Sequence, residues 1–433
     1  MRIALITPGS GEHFYCENCR RDLDTVQALA KQGHDAVLIP LYLPITEART
    51  AVELPVFYGA VNVYLEQFMP GYRRLPRSWR QWLDALPVLR WAATRAGSTR
   101  AGGLETLTLS VLRGENGRQA DELARLVDWL QRDFRPDVVH LSNALLLGLA
   151  DRIRQQTQAP VVCSLQDEDT WINAMPAPWP ARIWSLMAER AADVRLFLPV
   201  SQTYGEALSR RLRLTPERWR VLYPGIDLDT QQPTAAPPEL AIGYYARLSP
   251  GLGLDLLVDA FLTLRQRPGL EALRLHVAGG LTADDRPFVA GLRRRLRAAG
   301  ATAHVQIAES FAPAAAAEFL QSVTALSVPT PTGEAFGRFT LEALARGVPA
   351  VLPQVGAFPE VAGLTGGALL YPPGQPEALC EALARVLLEP GLRASLAREG
   401  REGLRRHFDL RRATVPALLQ AYQSVGRKTV ESI

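Results

Sequence analysis

Short apolar runs alternate with stretches of helical periodicity along most of the chain. In the first half these runs predict six buried strands, at residues 3–7, 36–39, 138–141, 161–165, 197–200 and 221–223. Amphipathic stretches, such as 22–31 and 120–132, separate the runs and predict helices. Strands without polar alternation that are joined by helices are typical of parallel sheets buried on both faces. The pattern therefore predicts a doubly wound α/β domain.

The alternation lapses over residues 227–240, which are polar and proline-rich, and this segment predicts a linker. Beyond it, six more apolar runs predict a second parallel sheet, with strands at residues 241–245, 273–278, 305–307, 325–328, 350–352 and 368–371. We therefore predict two Rossmann-like domains, 1–226 and 241–410. Ligands of such sheets bind beyond the carboxyl ends of the strands, so two domains face to face would bind them in the cleft between.

Length and composition agree with two domains. A chain of 433 residues is too long for one ordinary core. A net charge of +4 gives no reason to expect nucleic acid, and four cysteines do not make a disulfide framework. No apolar run reaches the roughly 20 residues of a membrane span, and the N-terminus does not resemble a signal peptide. The expected location is cytoplasmic.

One segment, residues 66–100, breaks the strand–helix rhythm and predicts an insertion. It contains three tryptophans, Trp79, Trp82 and Trp91, among seven arginines. One interpretation is a surface that docks on anionic lipid at the inner membrane face, or on an anionic acceptor. The other is an amphipathic cover over the N-terminal sheet with a solvated basic face.

The stretch from Gly333 to Leu344 carries the clearest chemical signal. It places Glu334 and Glu342 eight positions apart, with glycines at 333 and 337. Glycines favour a bent loop rather than one continuous helix, so we predict a loop that enters a helix near Arg338. Free N–H groups at the start of that helix would bind an anion. A nucleotide-sugar has hydroxyl groups that carboxylates can bind and phosphates that the anion site can bind, so this arrangement suits such a ligand.

Several turns that follow predicted strands are further candidates. Gly9 and Gly11 follow the first strand, and Gly279 and Gly280 follow a strand of the second domain. Glycine turns there let a ligand approach the backbone, although many α/β proteins use them only for packing. Arg247 follows the first strand of the second domain, where it would face a diphosphate or form a surface salt bridge.

Polar residues also follow two strands of the first domain. His140 ends one strand and is predicted to point into the cleft. Gln166 and Asp167 begin an acidic cluster after another strand, where an acceptor hydroxyl could be bound or deprotonated. The alternative for this cluster is a polar loop that caps a helix.

Cys16 and Cys19 form a C-x-x-C at a predicted helix start. A zinc site would need four ligands, and His13 is the one obvious neighbour. We favour small buried residues there over metal or redox chemistry.

Taken in order, these motifs resemble the retaining family-4 glycosyltransferases of the GT-B fold, over almost the whole length. The resemblance rests most on Glu334-x7-Glu342 with Gly337, then on Gly356-Ala357-Phe358-Pro359-Glu360 and on Tyr223-Pro224-Gly225-Ile226-Asp227. It also includes Arg247-Leu248, Ala278-Gly279-Gly280 and Pro136-Asp137-Val138-Val139-His140.

The resemblance implies a role for each domain. The second would bind a UDP- or GDP-linked sugar, with Glu334 at the sugar hydroxyls and Glu342 at the ribose. The N–H groups of Phe339, Thr340 and Leu341 would hold the diphosphate beside Arg247, without a metal or other cofactor. The first domain would bind a carbohydrate, lipid or small-molecule acceptor, and residues 411–433 would form a helix that crosses back to it. The anomeric configuration would be retained.

Three departures from the family pattern suggest a divergent subgroup. Leu252 stands where the family usually has a lysine that contacts the diphosphate, and Arg338 is the candidate to replace it. Gln166 stands where a cleft histidine is usual. Cys16-Glu17-Asn18-Cys19 replaces the usual glycine-rich start of the first helix. A weakly active or non-catalytic carbohydrate- or nucleotide-binding protein is therefore the alternative to an active transferase.

Overall fold

The computed structural model describes residues 1–8, 16–41, 102–231, 233, 237, 239–309 and 315–426. Within it the chain forms two compact units. The first contains residues 1–8, 18–41, 102–222 and 415–426, and the second contains residues 16–17 and those from 223 to 414. The predicted insertion at 66–100, together with Gly9, Gly11 and His13, lies outside the described residues.

The first unit is built on a five-stranded parallel sheet with helices between its strands. The strands are β1 (Arg2–Thr7), β2 (Asp35–Pro40), β3 (Val138–Leu141), β4 (Val161–Leu165) and β5 (Leu196–Pro199), in the spatial order β2-β1-β3-β4-β5. The helices are α1 (Glu17–Lys31), α2 (Glu105–Leu112), α3 (Ala120–Trp129), α4 (Ala150–Thr157), α5 (Glu168–Asn173), α6 (Trp179–Arg190), α7 (Gln202–Leu212) and the last helix of the chain. β3, β4 and β5 are buried along their whole length, as their apolar sequences predict.

The second unit is built on a six-stranded parallel sheet. Its strands are β6 (Ala241–Tyr245), β7 (Arg274–Ala278), β8 (Val305–Ile307), β9 (Ala325–Leu326), β10 (Ala350–Pro353) and β11 (Ala368–Tyr371), in the order β11-β10-β9-β6-β7-β8. Its helices are α8 (Leu254–Leu264), α9 (Arg286–Ala298), α10 (Ala316–Gln321), α11 (Arg338–Ala345), α12 (Phe358–Thr365), α13 (Pro376–Leu388) and α14 (Pro390–His407). The last helix, α15 (Val415–Val425), belongs to the first unit.

The strand predicted at residues 221–223 is wrong. Leu222 donates its N–H to the Pro199 carbonyl at 2.9 Å, and Arg220 donates to Phe197 at 3.1 Å, beside β5. Only Trp219 forms a bridge with Phe197 there, so the segment runs along the strand without forming a ladder.

The predicted boundary at residue 226 also differs from the structure, because residues 223–226 belong to the second unit. Ile226 donates its N–H to the Phe408 carbonyl at 2.8 Å and accepts from the Leu410 N–H at 3.0 Å. Arg411 reinforces this pairing with bonds of 2.8 Å to Asp227 and to Asp229. The beginning of the predicted linker is therefore ordered against the chain that follows α14.

Candidate functional site

The loop from Gly333 to Gly337 leads directly into α11, as the sequence predicts. Gly337 precedes the helix with a left-handed backbone (φ 82°), and a Cβ there would lie 2.6 Å from the Phe358 ring. Gly333 is also left-handed (φ 77°) and packs against the backbone of Gly356. Glu334 accepts the Ala357 N–H at 3.1 Å through its carbonyl oxygen. Both glycines are required by these close approaches, which fix the half-buried Glu334 at the carboxyl end of the sheet.

Helix α11 is buried along its whole length. Phe339 packs its ring on Phe358 with centroids 6.1 Å apart, and Leu341 has no exposed surface. The Thr340 hydroxyl is buried and has no hydrogen-bond partner among the described residues. A buried hydroxyl in the first turn of a helix is available to a phosphate oxygen, whereas an unbonded one costs stability.

The first turn of α11 nevertheless differs in two respects from the predicted set of free N–H groups. The Phe339 N–H donates to the Glu17 Oε1 at 3.4 Å. The Thr340 N–H donates to the Gly337 carbonyl at 3.0 Å, which closes a tight turn at the start of the helix. In this conformation that amide is already used within the helix. The positive end of the helix dipole is unaffected by this bond.

Glu342 lies in the middle of α11, beside arginines one turn before and one turn after it. The Arg338 Nε lies 3.4 Å from the Glu342 Oε1, and both side chains are almost entirely buried. Arg346 is half-buried, and its burial lowers its pKa while the charge of Glu342 raises it. Arg338 is thus directed along the helix toward Glu342.

Arg247 does not form an exposed salt bridge, as one interpretation of the sequence proposed. Its Nε and Nη2 each lie 2.9 Å from the Oδ2 of the buried Asp285. Nη2 also donates to the Thr282 hydroxyl at 2.9 Å. Asp285 further accepts the Thr282 N–H at 2.9 Å, in a capping box before α9. The guanidinium is therefore fixed in direction, and much of its charge is balanced.

The turns after β6 and β7 pack tightly together. Leu248 donates its N–H to the Gly280 carbonyl at 2.9 Å, and a Cβ on Gly279 (φ 136°) would lie 2.0 Å from the Ala246 carbonyl oxygen. Gly279 therefore has a packing role, which is the alternative that the sequence left open. Leu252 is half-buried and packs against the apolar core of this unit.

Tyr244 connects these parts at the end of β6. Its buried hydroxyl donates to the carbonyl oxygens of Arg247 and Leu252, at 3.2 and 3.3 Å. Burial raises the pKa of Tyr244, and the charges of Glu334, Asp255 and Asp285 raise it further. The charge of Glu334 and that of Asp285, the partner of Arg247, thus both act on one buried tyrosine at the end of β6.

In the first unit, a polar cluster forms where β1, β3 and β4 end. Arg21, on α1, donates to the Gln166 Oε1 and to the Ser142 carbonyl, and its Nε lies 3.0 Å from the Asp22 Oδ1. The Gln166 Nε2 donates to the same Ser142 carbonyl at 2.9 Å. Both ends of the buried Gln166 amide are therefore bonded within the protein. Each end of an amide can form a second hydrogen bond, so the predicted contact of Gln166 with an acceptor stays a prediction.

Asp167 follows with a left-handed backbone (φ 57°), which is uncommon outside glycine and enriched at functional positions. It occupies the N-cap position of α5, but its side chain makes no capping bond. The alternative interpretation, a loop that caps a helix, is therefore right about where Asp167 lies, but its half-buried side chain does not act as the cap.

The neighbouring Glu168 is fully buried and forms the centre of a second network. Its carboxylate accepts the N–H groups of Ala144 and Gln166 and the Tyr204 hydroxyl, each at 2.8 Å. Burial raises the pKa of Glu168 to about 7, although the hydrogen bonds from Ala144 and Tyr204 lower it. Tyr204 also donates to Asp169 at 2.9 Å.

The prediction that His140 points toward a ligand is wrong. Its side chain is 3% exposed, and its two ring nitrogens are bonded to the hydroxyls of Tyr422 and Ser164, at 2.7 and 2.9 Å. Burial, helped by the charge of Arg21, lowers the pKa of His140 to about 3. The neutral ring thus fastens α15 to the sheet.

Cys16 and Cys19 are half-buried at the start of α1 and are not joined in a disulfide. Within the described ranges, no group of three or more His, Cys, Asp or Glu side chains could hold a metal ion. In the same ranges, none of the helices combines the length and apolar character that crossing a bilayer needs.

Several residues of these networks had no sequence signal. Arg21, Tyr204, Asp285 and Tyr422 lie far along the chain from their partners and fall within ordinary helical patterns. Only the packing of strands and helices brings them to Gln166, Glu168, Arg247 and His140.

Comparison with known families agrees with this geometry. The model "Glycosyl transferases group 1" matches residues 226–403, and "Glycosyltransferase Family 4" matches residues 100–230. A protein named D-inositol 3-phosphate glycosyltransferase from Jonesia denitrificans is 31% identical over 334 residues, which are 71% of this chain and 75% of that protein. The chain therefore belongs to this family of glycosyltransferases, and its two parallel-sheet units form the GT-B fold.

Two further comparisons set the limits of the likeness. A protein of the same name from Saccharomonospora viridis is 33% identical over 236 residues, so the chain spans about half the length of that relative (53%). Among solved structures, the Anabaena protein HepE in complex with UDP is similar, with a TM-score of 0.68 over 98% of this chain and 100% of that chain. At 15% identity it supports the fold alone.

Proposed function

We propose that this protein transfers a sugar from a nucleotide-sugar donor to a hydroxylated acceptor, with retention of the anomeric configuration. The observation that carries the proposal is the loop from Gly333 to Gly337 entering α11, with Glu334 before the helix and Glu342 within it. Two carboxylates, which can bind hydroxyl groups, thus flank a helix start that favours a phosphate, and this arrangement supports a nucleotide-sugar donor.

The donor diphosphate would lie at the start of α11. The buried Thr340 hydroxyl and the fixed Arg247 guanidinium are the groups that would contact it. Because these groups and the helix dipole face the diphosphate charge, we propose that no metal ion is needed. A UDP-linked sugar is the first donor to test, since the similar HepE structure contains UDP, and a GDP-linked sugar is the second.

The acceptor would bind at the polar cluster of the first unit, where Asp167 is the residue proposed to bind or deprotonate its hydroxyl. D-inositol 3-phosphate is the first acceptor to test, because the relatives are named for it. Other carbohydrates, lipids and small polyols follow. Contact with a membrane surface through residues 66–100 stays a proposal, and vesicle co-sedimentation would test it.

A thermal-shift screen of nucleoside diphosphates and nucleotide-sugars would identify the donor, because a bound ligand stabilises the folded state by mass action. Turnover would then be measured for Glu334→Ala and Glu342→Ala, with Glu377→Ala at an exposed helix position as the control. We expect both site variants to fold and to lose nearly all activity, and the control to keep it. Full activity in both would contradict the proposal. Addition of EDTA should leave turnover unchanged.

A second candidate is a protein that binds nucleotides or carbohydrates without efficient transfer. Two observations favour it: Leu252 is packed against the core where the family has a lysine, and both ends of the Gln166 amide are bonded within the protein where the family has a histidine. Calorimetric binding of a nucleoside diphosphate, with neither transfer nor donor hydrolysis across broad acceptor panels, would support it.

A further inference from the structure

Arg338 occupies an unusual position for a cation. It is the first residue of α11, its side chain is 3% exposed, and its Nε lies 3.4 Å from the Glu342 Oε1. Removing two charges from water is expensive, and such pairs often add nothing to stability relative to apolar residues. The burial of this pair therefore calls for an explanation other than folding.

Support for the helix does not explain it. A cation in the first turn lies at the positive end of the helix dipole, where it is unfavourable. The order of the two charges along the helix is also the less stabilising one. Here the base precedes the acid by four positions, whereas an acid that precedes a base stabilises a helix more. A pairing that breaks two local preferences inside a donor-site helix is typical of a functional constraint.

The two side chains differ in what can reach them. Glu342 keeps 9% of its side-chain surface exposed, against 3% for Arg338. Of the two side chains, that of Glu342 is therefore the more accessible to a ligand. Arg346, one turn further along, also acts on Glu342 by charge. This bracketing by two arginines would restrict the orientation of the carboxylate.

We propose that Arg338 is a positioning residue that fixes the Glu342 carboxylate to accept the ribose hydroxyls of the donor. Arg338 thereby determines how strongly the protein distinguishes a ribonucleotide from a deoxyribonucleotide. The inference rests on the proposed function, since it assumes that Glu342 faces the donor ribose. It assigns Arg338 to Glu342 rather than to the diphosphate.

The test compares calorimetric affinities for UDP and 2′,3′-dideoxy-UDP, or for the GDP pair if GDP is the tighter ligand. Hydrogen bonds to a charged group are worth enough for the wild type to prefer the ribonucleotide by at least about tenfold. In Arg338→Leu and Arg338→Gln, we expect this preference to fall to about threefold or less. Arg338→Lys keeps the charge and should restore part of it.

The ratio of the affinities for the two nucleotides, rather than either affinity alone, shows whether Arg338 positions Glu342 or only supports the fold. A variant that merely loosens the unit would weaken both nucleotides together and leave their ratio unchanged. Glu342→Gln should also lose the preference, and adding Arg338→Gln to it should change the ratio no further. Unfolding midpoints of all variants would confirm that they are folded.

Two results would overturn the inference, and they are distinguishable. If the wild type prefers the ribonucleotide and the folded Arg338→Gln protein keeps that preference, Arg338 does not position Glu342, while the proposed function stands. If no nucleoside diphosphate binds to the wild type, the proposed function fails and this inference fails with it.

Discussion

Asp285 holds Arg247 in a largely buried ion pair, with the Asp285 Oδ2 2.9 Å from both Nε and Nη2 of the guanidinium. This contact fixes the direction of the one arginine that the family pattern assigns to the donor diphosphate. The carboxylate of Asp285 also neutralises much of the charge of Arg247. Because Leu252 supplies no second cation, the proposed diphosphate site is less positive than the family pattern would make it.

Restoring that cation should therefore strengthen nucleotide binding. Leu252→Lys can keep its aliphatic stem against the core while its ammonium group reaches solvent. We expect affinity for the nucleoside diphosphate to rise about tenfold, the effect of one net charge-assisted contact. Calorimetry would measure it, with the gain decreasing at high salt. Leu252→Met is the neutral control, and equal affinities in the two variants would show that position 252 does not face the diphosphate.

Gly337 matters both for its left-handed backbone and for its close approach to Phe358, and the two contributions to stability can be measured separately. Gly337 (φ 82°) and Gly347 (φ 81°) flank α11, but a Cβ at Gly337 would lie 2.6 Å from Phe358, whereas one at Gly347 would meet nothing within 4 Å. Gly347→Ala should cost about 1 kcal/mol, from the backbone alone. Gly337→Ala should lower the free energy of unfolding by at least about 1 kcal/mol more, because it also forces Phe358 to move. Denaturant unfolding would measure both, and equal losses would contradict the contact.

The buried His140 should make the free energy of unfolding depend on pH in the acidic range. Its pKa is about 3 in the folded state, because burial disfavours the charged ring, and about 6.5 when unfolded. The unfolded chain therefore binds a proton that the folded one does not, and the unfolding free energy should fall as pH decreases from about 6.5 toward 3. His140→Asn should remove this contribution. Tyr422→Phe loses the hydroxyl contact but keeps the histidine, so its dependence on pH should persist, as measured by denaturant unfolding at several pH values.

Glu168 should contribute a dependence of opposite sign. Burial raises its folded pKa to about 7 from an ordinary value of 4.5, so between these values the folded state holds a proton that the unfolded state releases. Its contribution to stability is full below about pH 4.5 and is lost as pH rises through about 7. Comparison of Glu168→Gln with the wild type should isolate this slope.

Tyr204→Phe gives a second test of the same group. It removes a hydrogen bond to the Glu168 carboxylate, which should raise the pKa of Glu168 further and extend the sloping region to higher pH. A pH profile identical to that of the wild type would mean that Tyr204 does not stabilise the ionised carboxylate.

Much of the second unit could be predicted from local sequence. Gly333 and Gly337 allow a bent backbone where a helix would otherwise continue, and α11 begins at Arg338, as predicted. The apolar runs at 241–245, 305–307 and 368–371 became strands with the predicted bounds. The first is fully buried inside the sheet, whereas the other two are its partly exposed edge strands. The run at 221–223 lies beside β5 but forms no strand, because apolar character alone does not provide the repeated backbone pairing of a ladder.

The sequence by itself determined the two parallel α/β sheets, the glycine-bent entry to α11, and the family. Each depends on residues close together in the chain, through periodicity, glycine backbone freedom or motif order. The tertiary structure alone decided how single polar side chains are used. Two of these contacts are ion pairs, Asp285 with Arg247 and Arg338 with Glu342. The other two are hydrogen bonds, Arg21 to Gln166 and Tyr422 to His140. Most of these partners come from distant elements, and the direction of a side chain depends on packing that no local pattern records.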